Sequence, residues 1–399
     1  MADKPKYVSL FCGCGGMDLG FTEAGFRCVA AYDIDKNAIK VHRKNFGDLG
    51  VILDLSTNFL PENCHYDIDL LIAGPPCQGF STAGKRLIDD RRNFLLYTPF
   101  HLAKALNPKV VVVENVNGVA SGKHKEFWDT LNSMFYNNGY YTTELVFNAD
   151  EYSVPQLRKR RLIIAWKKEY EINGIGIEPI GKVSLRTALE GVENSKDHAP
   201  VFLNKSSKYY KIAERIGQGE KLCNVRGGPN AVHTWDIPEV FGKTTTRERK
   251  ILETIMVVRR RERRRAFGDA DPVLISRISS ILGYATRSYF ESLRQKNYLR
   301  KVGKYYYDLS HTFNGKFRRL DWEKPSYAVD TRFGDPRYFL HPEEHRGFST
   351  REAARIQGFP DNFIFPCTKQ KQYELIGNAV PPPLSRIVGE HLRDIFFRG

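Results

Sequence analysis

A rhythm in the first 167 residues constrains this chain more than any other feature. Short apolar, β-branched runs recur: YVSLF from Tyr7, RCVAAYDI from Arg27, GVILDL from Gly50, DLLIAG from Asp69, KVVVVENV from Lys109, TTELVFN from Thr142 and RLIIAW from Arg161. Most are bounded by Gly, Pro, Asn or Asp, as buried strands are. Between them lie KNAIKVHRKNF (36–46), NFLLYTPFHLAKALN (93–107) and KEFWDTLNSMF (125–135), with apolar residues at helical spacing. Alternating strands and helices close as a largely parallel sheet with helices on both faces. Such sheets bind ligands at the carboxyl ends of their strands.

After Trp166 the rhythm stops, and 170–340 is richer in Arg, Tyr and Gly. Within it RERKILETIMVVRRRERRR from Arg247 reads as a helix. DPVLISRISSILG follows, with Asp271 expected as N-cap, Pro272 in the first turn and Gly283 as the stop. Thr286 then precedes a third helix, and RKVGKYYYDL reads as a hairpin around Gly303. Three helices and a hairpin in that order resemble a winged helix-turn-helix. The alternative is an irregular α+β insertion carrying a solvated basic helix. Regular patterning returns near 347, with a helix in STREAARIQGFPDNF and another after the three prolines of GNAVPPPLSRIVGEHL. The expected architecture is α/β: a Rossmann-like domain at 1–168, a smaller α+β domain at 169–345, and a segment at 346–399 returning to the first domain.

The chain carries 61 Lys+Arg against 46 Asp+Glu, a formal charge of +15, which favours a polyanionic partner: DNA, RNA or an anionic membrane. No apolar run reaches the roughly 20 residues that cross a bilayer, and MADKPKYVSLF lacks the shape of a secretory signal. The seven cysteines are odd in number and irregularly spaced, which points to a reducing cytoplasm rather than a disulfide framework. No metal site is expected. Cys12 and Cys14 have no completing pair, and HPEEH (341–345) holds a proline where a zinc-binding helix would be needed.

Four stretches carry candidate chemistry. In VSLFCGCGGMDLGF, Gly13, Gly15 and Gly16 form a strand–turn–helix connection that a ligand can approach closely. Asp33 ends the next strand about 20 residues on, where an acid grips ribose hydroxyls, and Asp54 ends the third. Together they describe an adenosine-type ligand. In GPPCQGFSTAGKR, Cys77 follows two rigid prolines and opens a small-residue loop, an arrangement suited to a nucleophile. Glu114 ends KVVVVENV at the same sheet edge, and a carboxylate after four valines needs a partner. VPQLRKRR then supplies Arg158 and Arg160, which share a side of an extended segment. Each also has a plain structural reading: a tight turn, a buried thiol, a surface acid, a solvated basic edge.

Taken in order, LFCGCGGMDLGF, YDIDKNA, GPPCQGFS, ENV, QLRKRR, STREAARIQGFPDNF and QYELIGNAVPPPL resemble the cytosine-5 DNA methyltransferases of bacterial restriction-modification systems. About 230 residues at the two ends are covered. Ser9 departs from the pattern, since many members carry Asp before Leu-Phe. The resemblance implies S-adenosylmethionine as cofactor, with Phe11 near its adenine, Asp33 on the ribose and Asp54 on the adenine amine. Gly13, Gly15, Gly16, Ile34 and Leu55 would line that pocket, and Pro76, Leu95, Asn378 and Val380 would complete it. It further implies Cys77 as nucleophile at cytosine C6, Glu114 as holder of the N3 proton, and Arg160, with Arg158 nearby, orienting Glu114 and the base. The partner would be duplex DNA, reached by Ser81, Lys85 and Arg86 of the loop, by Arg259 and Arg260 of the basic helix, and by Arg287 and Tyr289. Family precedent implies a monomer with a restriction endonuclease of the same specificity. The competing reading is an RNA cytosine-5 methyltransferase; a catalytically dead DNA-binding module would lack the nucleophile or the glutamate.

Overall fold

The computed structural model describes residues 3–60, 67–76, 91–225, 227–264 and 271–397. The chain divides into two compact units. The first comprises Met1–His198, Glu323–Thr331 and Thr350–Gly399; the second comprises Ala199–Trp322 and Arg332–Ser349.

In the first unit all seven apolar runs form strands: β1 (Lys6–Leu10), β2 (Arg27–Asp33), β3 (Gly50–Ile52), β4 (Leu70–Ala73), β5 (Val110–Val116), β6 (Tyr140–Asn148) and β7 (Lys159–Lys167). They make one sheet in the order β3-β2-β1-β4-β5-β7-β6, parallel except for β7, which runs antiparallel to both neighbours. Helices α1 (Gly16–Glu23), α2 (Lys36–Phe46), α3 (Thr98–Leu106) and α4 (Lys125–Asn137) fill the connections. The two-residue repeat of a strand sends alternate side chains to opposite faces. Ile72, Val110, Val112 and Ile164 enter one apolar layer with Phe21 of α1. Leu71, Val111, Val113 and Ile163 enter another with Phe100, Trp128 and Leu131 of α3 and α4. Each valine buried in this way stabilises by roughly 1.5–3 kcal/mol. Strand order reverses between β1 and β4, which opens a crevice beyond their carboxyl ends.

The boundary expected at 168 lies elsewhere. Residues 169–198 stay with the first unit because Ile172, Ile175 and Ile177 pack on its core, and Arg351 is paired with Asp197 at 2.6 Å. The chain was read as leaving the domain because the strand–helix rhythm stops there, yet apolar cover continues.

The second unit contains α5 (Thr246–Arg261), β8 (Val273–Leu274), α6 (Ile275–Leu282), α7 (Arg287–Gln295), β9 (Leu299–Lys301) and β10 (Tyr306–Leu309). The three strands form a sheet in the order β8-β10-β9. The expected start of α6 is corrected: Val273 and Leu274 pair antiparallel with Tyr307 and Tyr306, so the sheet claims these residues and the helix begins at Ile275, not after Asp271. Arg259 is a second correction. It is buried, with Nη2 donating to Asp308 Oδ1 at 2.9 Å, and so pins α5 to β10 rather than facing a nucleic acid. Arg260 and Arg287 are exposed, and Tyr289 is half-buried with its hydroxyl accepting from Arg247.

The final segment supplies α8 (Thr350–Gln357), α9 (Lys369–Asn378) and α10 (Pro382–Phe396) to the first unit. Helix α10 lies against α1 with almost no intervening side chain. A Cβ on Gly20 would sit 2.5 Å from the Pro382 carbonyl oxygen, and one on Gly389 would sit 2.7 Å from Ala24 Cβ. Ser385 Oγ donates to the Gly16 carbonyl and Arg393 to that of Ala24. These contacts return the end of the chain to the turn after β1.

Candidate active site

A cavity of about 550 Å³ occupies the crevice where the strand order reverses. Its floor is the turn after β1. Phe11 adopts φ +53°, a conformation uncommon for a bulky residue and one that concentrates at binding sites. Gly13, at φ +55°, has open space where a Cβ would stand. Asp33 at the end of β2 accepts from the Gly13 N–H with Oδ2 and from the Asp35 N–H with Oδ1, both at 2.9 Å. Its carboxylate is thereby aimed, with a lone pair on each oxygen left over. Burial pushes its pKa up, and those backbone donors pull it down. Asp54 is exposed at the rim, its carboxyl held below the usual range by bonds from Ser56. Ile34, Leu55, Pro76 and Leu95 line the walls, and Asn378 and Val380 close the cavity from the returning segment.

One expectation for this pocket is corrected. Gly15 does not line it. At φ +93°, its Cβ would meet the Phe46 ring at 2.4 Å, so glycine there serves the packing of α2. Ser9 Oγ donates to Asp18 Oδ2 at 3.1 Å, and Asp18 is fully buried beside His42.

Across the cavity stands the acid of β5. The parallel register sets Ala73 beside Val113, so Gly74 and Glu114 meet at one sheet edge. Antiparallel pairing sets Val116 opposite Arg160 on β7. Arg160 Nε therefore reaches Glu114 Oε1 at 2.6 Å, and both side chains are nearly buried. Oε2 lies on the Gly74 side, 3.9 Å from where a Cβ would stand. Burial raises the Glu114 pKa, against the lowering by the charges of Arg160 and Arg158.

Arg158 differs from its expected place at the base. Its Nη2 donates to the carbonyls of Gly377 (2.8 Å) and Ala379 (3.1 Å), and Nη1 to Val329 (3.3 Å). It acts on Glu114 only through space and fastens the wall that Asn378 and Val380 form. Gln156 does similar work: its Oε1 accepts from Val329 N, and its Nε2 donates to Ile356 O and Gln357 Oε1. Sequence reading counted Gln156 in the QLRKRR block but gave it no role, although it stands first in the alternate series 156, 158, 160. Asn115, quoted within ENV, was likewise given no role. Its Nδ2 donates to the Pro75 carbonyl at 3.2 Å and ties the proline pair to β5. Lys371, which binds Asp35 at 2.6 Å, joins α9 to the pocket and carried no sequence signal. Cys77, Ser81, Lys85 and Arg86 lie outside the described residues.

The profile of the C-5 cytosine-specific DNA methylases matches residues 6–394. The chain is 31% identical to the type II methyltransferase M.XorII of Xanthomonas oryzae pv. oryzae, over 97% of this chain and 84% of that protein. It is 30% identical to the type II methyltransferase M.DdeI of Desulfomicrobium norvegicum, over 96% and 88%. Its fold is shared with the Dnmt2 methyltransferase of S. pombe at a TM-score of 0.53 and 18% identity, covering 99% of this chain and all of that one. The chain belongs to the C-5 cytosine-specific DNA methylases and is a DNA (cytosine-5-)-methyltransferase of the type II restriction-modification kind.

Proposed function

We propose that the chain methylates C5 of a cytosine flipped out of a specific duplex sequence, through a covalent adduct of Cys77 at C6. The observation that carries this reading is the Glu114–Arg160 pair, buried at the mouth of the cavity and beside the Pro75–Pro76 turn that leads into Cys77.

The pocket residues fit an S-adenosylmethionine cofactor. Open space above Gly13, an oriented carboxylate at Asp33 and an ionised acid at Asp54 suit a backbone-hugging chain, a ribose diol and an adenine amine. Phe11 and Leu55 would flank the adenine, and Asn378 and Val380 would close over the other end. When bound, the cofactor supplies an electrophilic methyl group on a sulfonium.

The chain's own task is to make C5 a nucleophile. The Cys77 thiolate adds to C6, forming a C–S bond and shifting the C5–C6 electron pair onto C5. Glu114 Oε2 delivers a proton to N3, so negative charge does not accumulate on the ring. Burial raises its pKa and so favours the protonated form that such a transfer needs. Arg160 holds Oε1 and fixes the angle of the carboxyl. Once C5 is methylated, loss of its proton to water restores the C5–C6 double bond and expels Cys77 as thiolate, and N3 returns its proton to Glu114. None of this can occur in a stacked duplex, so the base must leave the helix, at a few kcal/mol. Ser81, Lys85 and Arg86 would meet the phosphates that hold it out. On this reading the enzyme acts as a cytoplasmic monomer, with a restriction endonuclease cutting the same site.

Labelled S-adenosylmethionine offered with duplex DNA and with tRNA tests the reading, with label expected in DNA. Label on tRNA alone would favour the RNA branch. A duplex carrying 5-fluorocytosine should trap a covalent complex that Cys77→Ser abolishes; trapping that survives that substitution would remove Cys77 from the mechanism.

A further inference from the structure

We propose that residues 246–264 and 271–309 form a winged helix in which α7 reads base edges in the major groove and the turn joining β9 to β10 grips the adjoining backbone. The proposal rests on the duplex-DNA reading above and names the element of the second unit that supplies its sequence specificity.

Four observations carry it. The first is topology. Helix, strand, helix, helix and hairpin follow in that order, and the strands pair as β8-β10-β9. The second is packing. Ile251, Ile255, Ile278, Phe290, Leu299 and Tyr307 share one core beneath the three helices and the sheet, closed by Trp235 from the preceding segment.

The third is the joint between α6 and α7. Four residues, 283–286, connect the helices. Gly283 takes φ +74°, a left-handed conformation that glycine adopts without a Cβ penalty. Ser279 Oγ and Thr286 Oγ1 are 2.7 Å apart across the joint, which fixes one helix on the other. That rigid pair is the unit helix-turn-helix proteins insert into DNA.

The fourth is what α7 leaves outside. Phe290 and Leu293 are buried, while Arg287, Ser288, Arg294 and Gln295 are exposed. Arg pairs with guanine and Gln with adenine through two bonds each, the side chains that major-groove reading favours. Arg294 is held by Glu291 at 2.8 Å, an exposed pair that a base can displace. On the hairpin, Lys301, Val302, Gly303, Lys304 and Tyr305 are all exposed. Charge selects the partner. Residues 246–309 hold 16 Lys+Arg against 7 Asp+Glu, so +9 of the chain's +15 lies in 64 of its 399 residues. A phosphate backbone is the surface that matches such a density.

The test uses the full chain. Bisulfite sequencing of a plasmid methylated in vitro defines the recognition site. Duplexes altered one base pair at a time are then assayed with the wild type, Arg287→Ala, Gln295→Ala and a Lys301→Ala/Lys304→Ala double variant. Each α7 variant should lose about 10- to 100-fold in kcat/KM on the cognate duplex and become indifferent to the base at one position. Arg287→Lys should retain affinity yet not restore that discrimination. The hairpin variant should weaken binding to every duplex alike and flatten the log–log salt dependence by roughly 1.8. Unchanged thermal melting keeps misfolding apart from these effects, since every substituted side chain is exposed. Base preference intact at all positions in the α7 variants, or an equal loss on cognate and altered duplexes, would overturn the proposal while leaving the DNA reading in place. Failure of the wild type to label any duplex would overturn both.

Discussion

Arg158→Met separates a residue that builds the pocket from one that performs chemistry. The guanidinium donates to the Gly377 and Ala379 carbonyls at 2.8 and 3.1 Å and, less well, to Val329 at 3.3 Å. Hydrogen bonds from a charged donor contribute about 1.5–3 kcal/mol each. Taking the lower figure for the two shorter bonds gives a loss of about 3 kcal/mol. A unit of this size loses about 2–4 °C in Tm per kcal/mol, so Tm should fall by about 6–12 °C. If half the loss falls on the conformation of residues 377–380 that closes the pocket, S-adenosylmethionine Kd rises about tenfold. With cofactor and DNA saturating, kcat should stay within about threefold of wild type, because Arg158 gives no bond to Glu114. Scanning calorimetry, cofactor titration and single-turnover methylation measure the three quantities. Unchanged Tm and Kd with a thousandfold loss in turnover would refute the assignment and return Arg158 to the base.

Arg160→Met removes the cation that holds the Glu114 pKa down, so that pKa rises further. Because the reaction uses the protonated acid, the alkaline limb of kcat should move to higher pH while kcat falls by about 100-fold or more; movement to lower pH would exclude Glu114 as the titrating group. Gly16→Ala places a Cβ 2.4 Å from the Val380 carbonyl oxygen, so α1 and the returning segment must part. A loss of about 1–3 kcal/mol in stability together with weaker cofactor binding is expected, by melting and titration. Arg259→Met should cost about 2 kcal/mol, since Asp308 retains Arg300 at 3.0 Å. It should leave the salt dependence of DNA binding unchanged, where a lost phosphate contact would change it by about 0.9.

Much of the first unit was legible because its signals are local. A period of two in valine-rich runs and Gly or Asp at their ends depend on neighbours in sequence, and all seven strands formed where those runs lie. Glu114 and Arg160 were legible as residues because a strand-ending charge stands out in apolar surroundings. Their pairing was not, because it depends on the antiparallel register of β7 against β5. The roles of Arg158 and Gln156 depend on carbonyls some 170–220 residues away, which no local pattern records. Arg259 misled for the same reason. In RRRERRR every arginine looks alike, and only the helix's rotation decides which one turns inward to Asp308. Val273 and Leu274 were lost to a neighbouring helix because two residues are too few to show a strand's period.

The seating of α10 on α1, glycine to backbone, carries a consequence for biosynthesis. The turn after β1 is made early, yet the groups that face it across the pocket, Asn378 and Val380, are held in place by a helix ending at Phe396. A growing polypeptide can form its sheet long before it can retain the methyl donor. Proteolytic clipping of α10 should likewise silence the enzyme.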